Sequence, residues 1–188
     1  MTSFMNEPKL DKKSELVEPI ITPRFVPTCS RQLMEDLGKL AKEHDVRIQT
    51  HLSECRPEVK WVSELEPWAD NYTDVYAKTG ILTDKTILAH GVYLNDSELN
   101  VINDFKSGIS HCASSNNSLR SGNMDVVHYH ESIPGLQIGL GTDCSGGYSP
   151  SMINSMRFGI ATCNTIALGT EVGAYVNILH TMPHIFPP

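Results

Sequence analysis

Six ionisable residues stand out because each closes, or lies just past, a short apolar run. They are Arg24 after Ile20-Ile21-Thr22-Pro23, His51 and Glu54 after Val46-Arg47-Ile48-Gln49-Thr50, His90 after Ile87-Leu88-Ala89, His111 after Ile109-Ser110, and Asp143 after Ile138-Gly139-Leu140-Gly141-Thr142. Imidazole nitrogens and carboxylate oxygens are ordinary zinc ligands, so histidines and an aspartate drawn from different strands could hold one ion. Hydrolysis at such an ion also needs a water of lowered pKa and a neighbouring group to carry its proton. Glu54, three residues beyond His51, suits that carrier. It suits equally a helix N-terminal glutamate stabilised by the dipole. Singly, a strand-end His or Asp is more often a cap, a loop hydrogen-bonder or a satisfied core group. The weight lies in five successive runs that all end this way.

Groups scattered over 120 residues meet only if the fold brings strand ends together, and a parallel barrel does so by gathering its βα loops on one face. From about residue 18 the chain alternates short β-type runs with helical patterns, the mark of βαβ units. The expected strands are Ile20–Phe25, Asp45–Glu54, Lys85–Gly91, Ile109–Ala113 and Leu136–Asp143. A helix is expected from Ser30 as N-cap to His44, with Leu33, Leu37, Leu40 and Ala41 inward. Pro57 to Tyr76 predicts one short helix and a loop, because Pro67 interrupts it. Asn95 with Glu98 reads as a capping box for a helix stopping at Gly108. Ser114–Ser118 reads as a polar turn, and a last helix runs from Ser151 to about Asn164. Residues 1–17 and 168–188 carry no pattern and stay unassigned on either side of an 18–167 domain.

Composition bounds the function classes. With 40% hydrophobic and 20% charged residues in 188, the chain is of globular type. A complete barrel needs about 250 residues, so any barrel reading must account for missing strands. The formal charge of −7 comes without a Lys/Arg run and offers no footprint for nucleic acid or an anionic membrane. Five cysteines, Cys29, Cys55, Cys112, Cys144 and Cys163, never form a C-x-x-C pair and suit a reduced, cytoplasmic setting. No stretch approaches a signal peptide or the ~20 apolar residues of a membrane span.

The strings Ile-Thr-Pro-Arg-Phe (21–25), His-Leu-Ser-Glu (51–54), Leu-Ala-His-Gly (88–91), Ile-Ser-His-Cys-Ala-Ser-Ser-Asn (109–116) and Gly-Leu-Gly-Thr-Asp-Cys-Ser-Gly-Gly-Tyr-Ser (139–149) resemble successive strand-end motifs of the guanine deaminase branch of the amidohydrolase superfamily. His-Gly and Gly-Thr-Asp indicate the superfamily alone, while Thr-Pro-Arg-Phe and the Tyr148 neighbourhood point to the guanine branch. The resemblance implies an α/β fold, a partial (β/α)8 barrel containing strands four to eight with their helices. It also implies hydrolysis of guanine to xanthine and ammonia by zinc-activated water. In those terms His51 and Asp143 are ligands of a single zinc ion. Glu54, His90 and Asp143 are catalytic, as proton carriers and oxyanion partner. Arg24, Phe25, His51, Glu54 and Asp143 contact guanine, and a homodimer is expected for full-length members.

The family pattern also calls for two further zinc ligands in a His-x-His at the first barrel strand, and none stands near the start of this chain. His128-Tyr129-His130 has the spacing but lies between the fourth and fifth runs, on a predicted helix whose two rings would diverge. Two other readings therefore stay open. One is a non-catalytic truncated homologue or binding fragment; the other is an amidohydrolase deaminase or chlorohydrolase acting on a different heterocycle.

Overall fold

The computed structural model describes residues 18–169 of the chain. Its core is one five-stranded sheet, β1 (Ile20–Ile21), β2 (Arg47–Leu52), β3 (Thr86–His90), β4 (Gly108–His111) and β5 (Gln137–Leu140), all parallel and neighbouring in chain order. The connections carry α1 (Arg31–His44), α2 (Arg56–Leu65), α3 (Tyr72–Thr79), α4 (Asp96–Asp104), α5 (Ala113–Leu119) and α6 (Val126–Ser132). After β5 comes α7 (Met152–Gly169).

Burial separates the two sheet faces. Along β2, Ile48, Thr50 and Leu52 are buried while Arg47 and Gln49 are exposed, and Leu88 and Ile109 continue the buried row on β3 and β4. The buried face packs on the helices through Met34, Val62, Val75, Tyr76, Leu99 and Ile102. The other face, where a closed barrel would have its interior, holds Gln49, Ile87, Ser110 and Gln137 and opens as a cavity of about 610 Å³ along β3 to β5. The sheet leaves β1 and β5 as edges.

Several boundaries differ from the sequence expectation. β1 is two residues long, and its ladder continues only as His51 N donating to Arg24 O at 3.0 Å. Pro57 to Tyr76 forms two helices, because Asn71 caps a fresh start through Asp74 N (2.8 Å) after the Pro67 break. β4 stops at His111, and the expected turn at Ser114–Ser118 is α5, tied by Asn117 and Ser118 side chains to the carbonyls of Ala113 and Ser114. α4 ends at Asp104, leaving Gly108 to open β4. Leu33 is exposed, whereas Met34 and Gly38 face inward. The predicted caps at Ser30 and Asn95 are present. The expected tail boundary at 168 falls inside α7, and the rest of both unassigned ends lies outside the described residues.

Gly38 lets α1 touch the end of α3. A Cβ there would lie 2.7 Å from Gly80 O and 2.8 Å from Thr79 O, both backbone atoms that cannot swing aside. Alanine is the better helix former by about 1 kcal/mol. We nevertheless expect Gly38→Ala to destabilise the chain by about 1–3 kcal/mol in urea unfolding, because overpacking outweighs propensity. A gain in stability would contradict this contact.

Candidate active site

The C-terminal ends of β2, β3 and β5 converge on a rim built by four local devices. His51 closes β2 on the open face, and the Tyr76 hydroxyl donates to its carbonyl oxygen (2.7 Å) from the helix side. His51 Nδ1 lies 2.7 Å from Arg24 O. A carbonyl only accepts, so Nδ1 carries the ring hydrogen and Nε2 keeps its lone pair free. Glu54 follows Ser53, whose φ of 49° turns the chain at the strand end. Its backbone N–H donates to the buried Glu58 carboxylate (3.0 Å), which also accepts from Tyr72 OH (2.8 Å).

His90 pairs with Leu52 in register, so simple alternation would send its ring toward the helices. Its φ of 74° breaks that alternation. The ring stacks on His51 with centroids 5.1 Å apart, and Nε2 lies 3.6 Å from Glu54 Oε2 and 4.0 Å from Asp143 Oδ2. Tyr129 fixes the loop that follows: its hydroxyl donates to Gly91 O (3.0 Å) and accepts from Leu94 N (3.1 Å). Asp143 sits in the loop after β5 at φ 43°, beside Gly146, where a Cβ would meet Asp143 Oδ2 at 2.8 Å and Ser115 Oγ at 2.7 Å.

The electrostatics follow from burial. Glu54 is raised above the ordinary carboxylate range chiefly by desolvation and further by the Asp143 charge, against the opposing pull of His51. His90 is pushed down to about 4, first by burial and then by His51, with Asp143 and Asn116 opposing. His111 is likewise down to about 4 by burial and by His90. It is 1% exposed, and neither ring nitrogen has a hydrogen-bond partner in the protein.

His51, Glu54, His90 and Asp143 thus come together, with Arg24 and Phe25 at the margin. The Phe25 ring centroid lies 6.4 Å from that of His51, edge-on, and the Arg24 guanidinium sits 5.4 Å from the Phe25 ring. Tyr148 is exposed and packs edge-on against Phe158 rather than on the rim. His128 lies apart on α6, 3.1 Å from Asp96. A zinc ion can take the free His51 Nε2 and the half-exposed Asp143 carboxylate. Among the described residues no group of three or more His, Cys, Asp or Glu could hold a metal ion. Sequence reasoning gave no role to Glu58, Tyr129 or Asn116. Glu58 was findable, since it stands three residues after the helix-starting Cys55 in capping-box position.

Five parallel strands with an ionisable rim at their C-terminal ends define part of an α/β barrel of the hydrolase type. The chain belongs to the amidohydrolase family, which it matches over residues 2–176. It is 48% identical over 167 residues to guanine deaminase of Pongo abelii, covering 88% of this chain and 36% of that protein. The chain therefore spans about a third of the length of the curated relatives it matches. A guanine deaminase from C. acetobutylicum, solved with guanine in its active site, superposes with a TM-score of 0.81 at 36% identity, covering 86% of this chain and 38% of that one. A zinc-bound adenosine deaminase from Xanthomonas campestris shares the fold, with a TM-score of 0.76 at 19% identity over 84% of this chain and 35% of that one.

The buried His111 sets a pH dependence of stability. On unfolding it takes up a proton near its ordinary 6.5, while in the fold it stays neutral down to about 4. Between these values the unfolded chain binds more protons, so stability is full above the window and falls as pH falls through it. Lowering the pH from about 7.5 to about 5 should cost the wild-type chain roughly 2 kcal/mol more than it costs His111→Gln. Urea unfolding of both at each pH measures it; equal slopes would contradict it.

Proposed function

We propose that this chain is the later part of a guanine deaminase barrel, and that its rim removes the C2 amino group of guanine as ammonia to leave xanthine. The observation that carries the reading is the meeting of His90 Nε2 with Glu54 and Asp143 within 4.0 Å, beside the His51 ring. The kinship with guanine deaminases, one of them solved with guanine bound, supplies the substrate class. His51 and Asp143 would contribute to holding a zinc ion, which when bound would supply a water of lowered pKa.

The chain's own groups then have separate tasks. Glu54, made more basic by burial, accepts the proton of the attacking water and returns it to the purine ring. Asp143 takes part in the same proton traffic. His90, kept neutral by its surroundings, presents a ring N–H to the developing oxyanion without adding a full charge. Arg24 binds a polar edge of the base and Phe25 lines the pocket beside His51. The second water proton, on the new C2 hydroxyl, passes to the amino group as the C2–N bond breaks, so that the carbonyl forms at C2 and ammonia leaves.

The setting and partners follow the same reading. Five free cysteines, and no helix among the described residues long and apolar enough to cross a membrane, suit a cytosolic enzyme. A homodimer is the assembly proposed for the full-length protein.

A fragment that only binds a partner is favoured by one observation: no group of three or more His, Cys, Asp or Glu among the described residues could hold a metal ion. Activity separates the readings. By itself the 188-residue chain should hold zinc weakly and release no measurable xanthine from guanine. Joined in cis to an upstream barrel segment that supplies a His-x-His pair, it should retain zinc and turn over. In that completed protein Glu54→Gln should keep the metal and lose roughly 10²–10⁴ in kcat, because it removes a proton carrier and no ligand. Zinc retention without turnover would favour the binding fragment. Robust turnover by the 188 residues alone would mean that other groups complete the donor set.

A further inference from the structure

His90 is held at both ring nitrogens. Nε2 faces Glu54 Oε2 at 3.6 Å and Asp143 Oδ2 at 4.0 Å, while Nδ1 lies 3.2 Å from the side-chain nitrogen of Asn116. A neutral imidazole carries one hydrogen, on one nitrogen or the other. Two carboxylates facing Nε2 favour the hydrogen there, since a lone pair would point at two negative charges. Nδ1 is then an acceptor and must be met by a donor.

Asn116 is placed to be that donor. It lies on α5, is 1% exposed, and its backbone N–H donates to Cys112 O at 3.0 Å, so the residue is anchored at the end of β4. Its Nδ2 also reaches Ser121 Oγ at 2.8 Å, and the Ser121 hydroxyl in turn points to Asn116 O at 3.4 Å. That hydrogen has two acceptors, Asn116 O and the Glu54 carboxylate, so toward the amide the Ser121 oxygen accepts. One Nδ2 hydrogen serves Ser121 and the other serves His90. The reverse orientation would set the amide oxygen against the Nδ1 lone pair. The cost of the observed orientation falls on Asn116 Oδ1, which is buried without a partner in the protein.

We propose that Asn116 is a positioning residue that fixes His90 in its Nε2–H tautomer, aiming that hydrogen at the mouth between Glu54 and Asp143. An orienting group from the neighbouring β4 unit thereby sets what a β3 side chain donates. The bearing on catalysis rests on the role given to His90 above; the tautomer itself does not.

The test is ring-nitrogen NMR on the full 188-residue chain labelled with ¹⁵N histidine, with His90→Gln used to assign the signals. At about pH 7.5, above the ordinary histidine range, wild-type His90 should show a bare Nδ1 and a protonated Nε2, in about tenfold excess for ~1.4 kcal/mol of preference. Asn116→Asp puts only acceptors beside Nδ1 and should leave Nδ1 protonated, with the His44 and His128 signals unmoved as a control for folding. A protonated Nδ1 in wild type, or a bare one in Asn116→Asp, would overturn the assignment. Should that variant not fold, uniformly labelled wild type decides: a through-hydrogen-bond coupling between Asn116 Nδ2 and His90 Nδ1 is expected, and its absence counts against the proposal. In the completed enzyme Asn116→Asp should lower kcat roughly a hundredfold while zinc content and KM hold. An Nε2–H tautomer in an inactive completed enzyme would leave Asn116 as assigned and remove the functional reading instead.

Discussion

The parallel register of the sheet is the constraint from which the rim follows. Leu52 lies level with His90 and His111 with Leu140, and Ala89 with Ser110 joins the two pairs, so four neighbouring strands end at nearly one height. Hydrogen bonds of a parallel ladder set that height, and a slip of one residue in β3 would turn every side chain of the strand to the other face. The ladder extends past the strands proper. His51 N donates to Arg24 O, Gly91 N to Leu52 O (2.8 Å), and Gly141 N to His111 O (3.0 Å). These bonds tie the chain at or close to His51, His90 and Asp143 to the adjacent strand.

Beyond the ladder the rim depends on backbone conformations that side chains do not favour. Ser53, His90 and Asp143 all have positive φ, and each lies where the chain leaves a strand. Such conformations cost on the order of 1–3 kcal/mol each and persist only where the surroundings over-determine them. The surroundings here are buried hydrogen bonds. The Ser53 carbonyl accepts from Val92 N and Tyr93 N, Glu58 holds Glu54 N, and Tyr129 holds both Gly91 and Leu94. The helices therefore do more than cover the sheet: their buried Tyr and Glu side chains pin the loops that carry the ionisable groups.

Much of this was legible in the sequence. Short β-type apolar runs between helical patterns marked all five strands, and Ser30 and Asn95 marked helix starts because their side chains satisfy free N–H groups. Strand-end placement also picked out His51, Glu54, His90 and Asp143, which the fold brings together. What local pattern could not give was anything decided by tertiary partners. Ser114–Ser118 has turn composition, yet Asn117 bonds back to Ala113 O and across to Thr162, and the segment is helical. Leu33 fits the helical period but faces water, since the close approach of α1 to α3 at Gly38 rotates the buried stripe. The role of Asn116 is not legible in its own segment, because its partner His90 lies 26 residues away.

The proposed metal site requires that His51 and Asp143, 92 residues apart in the chain, present their donor atoms to one point on the rim. Titration of the labelled chain with paramagnetic cobalt(II), standing in for zinc, addresses it even when binding is weak, because broadening reports proximity to the ion. The His51 and Asp143 resonances should broaden first and together, followed by those of Glu54 and His90, with the distant His44 untouched. Broadening centred on His128, or of His51 without Asp143, would contradict it.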